Sequence, residues 1–247
     1  AALTGQKDYI QAIDRLWENV VGKKMYLTGG IGARHHDEAF GENYELPNDS
    51  AYNETCAAIA NAMWNERMFL LHGDSKYIDV LERVLYNGFL AGISMEGNTF
   101  FYPNPLSSNA EYRFNKGAVG RQGWFDCSCC PVNIVRFLPA LAGMVYAHKD
   151  DNLYVNLFMP GTGSIPLPSG EVRITQATRY PLDAKVNLTI ENTKSVPFTL
   201  RLRIPGWARG ECVPGNLYRY LTPKKTANAS AQTVKLSVNG TTVPLKI

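Results

Sequence analysis

The chain has 247 residues and a formal net charge of +3 at pH 7. Hydrophobic residues make up 45% and charged residues 19% of it, which suits one large packed domain or two small ones and excludes a disordered chain or a coiled coil. The charge is too small and too dispersed for a nucleic-acid surface. No run reaches the ~18 apolar residues of a membrane span, so we expect neither a nucleic acid nor a membrane as partner.

The ends of the sequence indicate a fragment. It lacks an initiator methionine, opens on an amphipathic helical pattern and closes on a strand-like pattern. We therefore expect a longer polypeptide around it. The compartment stays open between the bacterial cytoplasm and the periplasm.

Residues 1–147 follow a helical period. Apolar residues recur at i, i+3 and i+4 in the first helix, at Ile10, Ile13, Leu16, Trp17 and Val20. Further helices are predicted over 54–71, 75–93 and 131–147, the last with Pro131 at its first position. The long connections 28–53 and 97–130 are of the kind that carries function. Four helices make either a small bundle or the last part of a helical toroid, and a fragment favours the toroid.

Residues 148–247 change to a period of two. Alternating segments at 152–161, 170–181, 184–192, 197–207 and 233–247 are punctuated by turn residues. The pattern predicts an antiparallel β-sandwich, incomplete in this chain. A polar stretch at 210–232 is interpreted as an insertion between strands.

Five cysteines give the first chemical signal. Cys127, Cys129 and Cys130 lie within four residues, and Cys56 and Cys212 stand apart. An odd, clustered set is unlike a disulfide framework and indicates a metal-binding or catalytic site. A redox thiol site and inert buried cysteines are the alternatives.

Two of these segments are predicted to open helices. With Pro131 as the first helical residue, Cys130 is the N-cap; with Asn53 as N-cap, Glu54 and Cys56 lie in a first turn. Helix N-termini stabilise anionic ligands. Three sulfurs and one carboxylate suit tetrahedral zinc, with Cys127 as a substitute ligand. The residues of this thiol–carboxylate cluster are Glu54, Cys56, Cys129 and Cys130.

An acidic loop and nearby aromatic residues give the second signal. Glu38 lies between a histidine pair and Ala39-Phe40 in RHHDEAFGENYELPND, and is a candidate general acid; a solvated acidic loop is the alternative. Aromatic rings with polar tips suit sugar faces; the alternative is core packing, which explains Phe100, Phe125 and Trp124 at least equally well. These aromatic residues are Tyr44, Tyr52, Phe100, Phe101, Tyr102, Trp124 and Phe125.

The motifs YLTGGIGARHHDEAF, YELPNDSAYNETCA, RMFLLHGDSKYIDVLERVLYN, FFYPNPL and WFDCSCCPVN, in this order, resemble glycoside hydrolase family 127, the β-L-arabinofuranosidases. The resemblance covers nearly the whole chain. It implies that residues 1–147 are the C-terminal part of an (α/α)6 barrel and that residues 148–247 belong to a β-sandwich. It also implies plant-type arabinofuranosyl glycans as substrates. A homodimer is an open possibility.

The resemblance further implies roles for single residues. The thiol–carboxylate cluster would bind Zn²⁺, Cys129 would also be the nucleophile, and Glu38 the general acid/base of a retaining glycosidase. Tyr102 would contact the substrate, and Glu82 would lie in the same pocket. Two other classes stay open: a sugar epimerase or polysaccharide lyase on a similar barrel, and a non-catalytic, zinc-stabilised carbohydrate-binding domain.

Overall fold

A computed structural model describes residues 3–192, 197–221 and 234–245. Helices precede strands, as the change of period predicts. The helices are α1 (Lys7–Lys23), α2 (Thr55–His72), α3 (Ser75–Arg83) and α4 (Cys129–Ala140). The strands are β1 (Tyr146–Lys149), β2 (Asn152–Val155), β3 (Gly161–Leu167), β4 (Gly170–Thr178), β5 (Val186–Asn192), β6 (Thr199–Leu202), β7 (Leu236–Val238) and β8 (Thr241–Val243).

Helix α1 buries only part of its predicted apolar face. Trp17 and Val20 of α1 are buried, whereas Leu16, which the spacing places with them, is 59% exposed. Helix α2 ends at His72 and is capped by Gly73, whose φ of 72° is in the left-handed region that favours glycine. Its Asn65 is fully buried and accepts a hydrogen bond from the Trp17 indole at 2.8 Å, which joins the two helices.

The predicted helix over 75–93 is present but changes its pitch. After α3 the chain continues as a π-helical segment, Val84–Phe89, and a 3₁₀ turn, Leu90–Gly92. The Asp74 carboxylate caps the start of α3 by accepting from the Lys76 backbone N–H at 3.0 Å.

Both predicted starts of the cysteine-bearing helices are wrong by one or two residues. Helix α2 begins at Thr55, so Glu54 is its N-cap and is not in its first turn. Helix α4 begins at Cys129, with Ser128 as N-cap, so Pro131 is the third helical residue. A proline is tolerated throughout the first turn because the N–H that it lacks has no intrahelical acceptor there.

The strands form three small sheets. Their orders are β1-β2-β6, β3-β4-β5 and β7-β8. The prediction of antiparallel pairing is wrong for one pair, because β2 and β6 run parallel. A chain of about 45 residues separates those two strands and allows the crossover that parallel pairing needs.

Two of the strands were not predicted. Residues 146–147 continue the helical spacing of α4 but form β1, since a turn at Asp150 folds them against β2. Strand β3 contains two glycines and a proline, which hide its alternation; it pairs along its length with β4. Within the predicted polar insertion, residues 222–232 lie outside the described residues, and 211–221 contain no helix or strand.

Two main clusters of buried apolar side chains lie under the helices and under the sheets. Tyr86 and Tyr146 pack against both. Between them lies a buried ion pair network: Arg203, which follows β6, binds Asp79 at 2.7 Å and also binds Glu82, both on α3. The helical and β-rich regions are therefore joined by apolar contacts and by charge. Among the described residues, no helix is both long and apolar enough to cross a membrane.

Candidate metal centre and active site

The four residues of the thiol–carboxylate cluster meet in space. Their ligand atoms, one carboxylate oxygen and three sulfurs, all lie within 4.8 Å of one another. Glu54 Oε1 is 3.2 Å from Cys130 Sγ and 3.4 Å from Cys129 Sγ, and the two sulfurs are 3.8 Å apart. The sequence-predicted set is thus brought together as possible metal ligands, from segments about 75 residues apart.

Two helix starts hold the cluster. Glu54 and Cys56 come from the start of α2, and Cys129 and Cys130 form the first residues of α4. Thr55 anchors α2: its backbone N–H donates to the Tyr102 carbonyl at 3.0 Å and its hydroxyl to the Phe101 carbonyl at 2.8 Å. These bonds also place the Tyr102 side chain beside the cluster.

The thiols influence one another's ionisation. A hydrogen bond from Cys130, and another from the Asn133 amide at 3.0 Å, lower the pKa of Cys56. The bond to Cys56, together with burial, raises the pKa of Cys130, and burial raises the pKa of Cys129 to about 12. Because these pKa values are raised, Cys129 and Cys130 would lose their protons together with Cys56 only if a bound cation compensated the negative charges.

Cys129 is the accessible member of the adjacent cysteine pair. Its side chain is half-buried, whereas Cys130 is fully buried. Its sulfur lies 3.0 Å from the Tyr102 hydroxyl, to which the thiol donates. In the thiolate form the same contact reverses, because the hydroxyl then becomes the donor. Burial is the main cause of a raised pKa at Tyr102, so this hydroxyl keeps its proton.

Glu38 lies in an exposed 3₁₀ turn, His36–Glu38, of the acidic loop. The Tyr52 hydroxyl donates to its Oε1 at 2.6 Å. The Tyr52 ring is 6.4 Å from the Tyr102 ring, centroid to centroid. Tyr52 and Tyr102 thus link the candidate acid to the candidate nucleophile.

The structure places Glu82 in other contacts. One oxygen of this buried carboxylate accepts from the Tyr180 hydroxyl at 2.6 Å and from Trp207, and the other binds Arg203. Cys127 is exposed, with its sulfur 3.9 Å from the Tyr102 hydroxyl. Through Tyr102, which contacts both sulfurs, Cys127 lies near Cys129.

Sequence reasoning missed two residues at this site. Lys116 lies over the Tyr102 ring, with Nζ 4.3 Å from the centroid, and donates to the Tyr52 hydroxyl at 3.3 Å. Asn115 is fully buried; its amide oxygen accepts from the Tyr102 N–H at 2.8 Å. In the sequence, this stretch is marked by its place in the long connection 97–130 and by Gly117, a residue typical of turns.

Two family models match consecutive regions of the chain. Residues 1–143 match the model described as beta-L-arabinofuranosidase, GH127 catalytic domain. Residues 152–246 match the GH127 middle domain of the same description. The two regions are thus those of a glycoside hydrolase class. The chain belongs to glycoside hydrolase family 127.

Individual relatives agree with this assignment. A non-reducing end beta-L-arabinofuranosidase of Bifidobacterium longum subsp. longum is 36% identical over 217 residues, which cover 84% of this chain and 32% of the relative. A solved GH127 beta-arabinofuranosidase is 50% identical, with a TM-score of 0.89 over 100% of this chain and 37% of that one.

A second solved structure, a GH127 beta-L-arabinofuranosidase from Geobacillus stearothermophilus T6, is 38% identical with a TM-score of 0.85, and the match covers 99% of this chain and 35% of that one. The chain therefore spans about a third of the length of the relatives it matches.

Proposed function

We propose that the protein containing this chain is a retaining glycoside hydrolase that releases L-arabinofuranose from β-L-arabinofuranosides. The observation that carries the proposal is the convergence of three thiols and one carboxylate in a chain of family 127. The proposal includes the architecture expected from the resemblance: residues 1–147 as the end of an (α/α)6 barrel, and residues 148–247 as part of a β-sandwich.

The donor set fits zinc. Sulfur ligands at about 2.3 Å and an oxygen ligand at about 2.1 Å from a tetrahedral zinc lie about 3.5–3.8 Å from each other. In the structure, Glu54 Oε1 lies 3.2 Å from Cys130 Sγ and 3.4 Å from Cys129 Sγ, and the two sulfurs are 3.8 Å apart. Thiolates also select zinc over calcium or magnesium, which prefer oxygen ligands. Zinc, when bound, would keep the sulfurs deprotonated at neutral pH.

Cys129 is the nucleophile in this proposal. Its half-buried sulfur can meet a substrate, whereas the fully buried Cys130 sulfur cannot. The Cys129 thiolate attacks the anomeric carbon, a C–S bond forms, and the bond from that carbon to the leaving oxygen breaks. The Tyr102 hydroxyl, 3.0 Å from the sulfur, orients the thiolate and is placed to contact the sugar.

Glu38 moves the proton. It gives a proton to the leaving oxygen in the first step and takes one from water in the second, when water breaks the C–S bond and releases the sugar with retained configuration. Its exposure allows access to water and substrate. We keep Glu82 as a proposed residue of the same pocket; both its oxygens are bound to protein groups in this structure.

The zinc part of the proposal is tested by elemental analysis of the native protein, its Cys130→Ala variant and a Cys212→Ser control. Cys212 is a half-buried cysteine outside the cluster. We expect one zinc per chain in the wild type and the control, and none in Cys130→Ala. A folded wild type without zinc would refute thiol activation by metal.

The catalytic part is tested with Cys129→Ser and Glu38→Gln. Replacing a nucleophilic thiolate by a hydroxyl should lower arabinose release by at least about 10³-fold. Near-normal turnover of Cys129→Ser, with unchanged far-UV circular dichroism, would exclude this sulfur as nucleophile. If the activity of the protein were insensitive to thiol alkylation and to zinc chelation, this would instead favour a sugar epimerase or a polysaccharide lyase.

A further inference from the structure

Tyr52 and Lys116 form a directed chain of hydrogen bonds that ends on Glu38. The Lys116 ammonium has donors only, so the Tyr52 oxygen accepts its bond at 3.3 Å. The hydroxyl proton of Tyr52 is then free to point to Glu38 Oε1, 2.6 Å away. A cation that donates to a hydroxyl strengthens the hydrogen bond that this hydroxyl gives onward.

The chain leaves the two oxygens of Glu38 in different environments. Oε1 accepts from Tyr52, whereas Oε2 accepts from no residue in the described part of the chain. Tyr52 is itself buried, at 3% exposed, and a phenol keeps its proton at neutral pH, so its hydroxyl remains a donor. A proton on Glu38 therefore belongs on Oε2.

Lys116 is held in place by local structure. Its backbone φ of 50° is in the left-handed region, which costs free energy for a residue other than glycine. The neighbouring Asn115 compensates: its buried amide donates to the Gly120 carbonyl at 2.8 Å and to the Phe100 carbonyl at 3.1 Å. The Lys116 ammonium lies over the rings of both Tyr52 and Tyr102.

We propose that Tyr52 and Lys116 are positioning residues for proton transfer: they orient the Glu38 carboxyl so that Oε2 carries the proton given to the leaving oxygen. This rests on the acid/base role proposed for Glu38. During glycosidic cleavage the Oε2–H bond breaks, a proton joins the leaving oxygen, and the carboxylate charge that remains is stabilised at Oε1 by the Tyr52 hydroxyl. Tyr52 and Lys116 keep their own protons throughout.

The test compares two substrates on the native protein. A 4-nitrophenyl β-L-arabinofuranoside has a leaving group that needs little protonation, whereas a β-L-arabinofuranosyl disaccharide needs the acid. The ratio kcat/KM is measured because it reports only the steps up to glycosidic cleavage. The variants are Tyr52→Phe, Lys116→Met and Lys116→Arg, and Glu38→Gln is the reference.

We expect Tyr52→Phe to lower kcat/KM for the disaccharide by about 10- to 100-fold and for the aryl substrate by less than about 3-fold. Lys116→Met should lower kcat/KM for the disaccharide by about 3- to 10-fold, again with little change for the aryl substrate. Lys116→Arg should keep most of the wild-type kcat/KM for the disaccharide, because a guanidinium also donates hydrogen bonds and stacks on aromatic rings. Lys76→Met is the matched control, since Lys76 lies over Trp17 and Tyr77 at 5.3 and 5.0 Å.

Equal losses on both substrates, or no loss on either, would overturn the positioning role. If Tyr52→Phe unfolds, the kcat/KM values of Lys116→Met on the two substrates test the positioning role instead, because Lys116 is exposed and outside the core. A Glu38→Gln variant that shows no split between the substrates would instead contradict the acid role of Glu38. If Glu38→Gln splits the substrates and Tyr52→Phe does not, only the inference about Tyr52 and Lys116 fails.

Discussion

Replacing Arg203 by methionine should strongly destabilise the protein, because it leaves two buried carboxylates without their cation. The Arg203 side chain is 2% exposed, and its partners Asp79 and Glu82 are 10% and 6% exposed. Breaking a buried ion pair by removing one partner costs about 3–5 kcal/mol. Arg209, 3.6 Å from Asp79 and 28% exposed, compensates only part of this charge. For a domain of this size, the loss corresponds to a fall in Tm of about 6–20 °C.

The assay is urea unfolding followed by tryptophan fluorescence. Trp207 is a suitable reporter, since its indole N–H donates to the Tyr180 hydroxyl at 3.2 Å beside the network. Arg201→Met is the matched control: this exposed arginine on β6 should change the free energy of unfolding by less than about 0.5 kcal/mol. Combining Arg203→Met with Asp79→Asn and Glu82→Gln should recover most of the loss. A loss below about 1 kcal/mol for Arg203→Met would refute the reasoning, since the network would then behave as a solvated surface pair.

Three further predictions concern the loops around the site. The hydrogen-bonded Arg34 guanidinium lowers the pKa of Glu45 from 4.5 to about 2, so the stability that this ion pair contributes is complete above pH 4.5 and is lost as the pH falls to about 2. The difference in Tm between the wild type and Glu45→Gln should therefore close between these two pH values. A difference in Tm that stays constant would contradict this prediction. Asn115→Ala should cost about 2–4 kcal/mol in urea unfolding because it leaves buried backbone groups without partners, and a cost within error would show that water replaces the amide. Gly30→Ala would place a Cβ 1.9 Å from Asn53 Oδ1, so we expect it to lower the free energy of unfolding by about 1–3 kcal/mol. Because Asn53 precedes Glu54, the variant should also retain less of the zinc proposed for the thiol–carboxylate cluster. Unchanged stability would mean that the Asn53 side chain can move away freely.

Much of the site follows from local sequence. Three thiols in a short segment and an acid two residues from a fourth cysteine indicate metal ligands whatever the fold, because this donor chemistry belongs to the residue types themselves. The change of period near residue 148 likewise predicts helices followed by strands, since each side-chain period reflects one backbone geometry. The ends of elements were less predictable: Glu54 and Cys129 each occupy a different cap or turn position from the one expected.

Contacts between distant segments had no sequence signal. The parallel pairing of β2 with β6 and the strand β3 depend on partners elsewhere in the chain, because a strand is stabilised by its neighbours more than by its own composition. The bond between Glu82 and Arg203 spans 121 positions, so the environment of Glu82 could not be derived from its helix.

The sequence by itself determined the ligand types, the order of helices and strands, and the family resemblance. Only the tertiary structure decided that Cys129 is accessible while Cys130 is buried, and that Lys116 and Tyr52 are joined to Glu38. The physical reason is that a residue's chemistry is carried by its side chain, whereas its exposure and hydrogen-bond partners are set by segments that meet only when the chain folds.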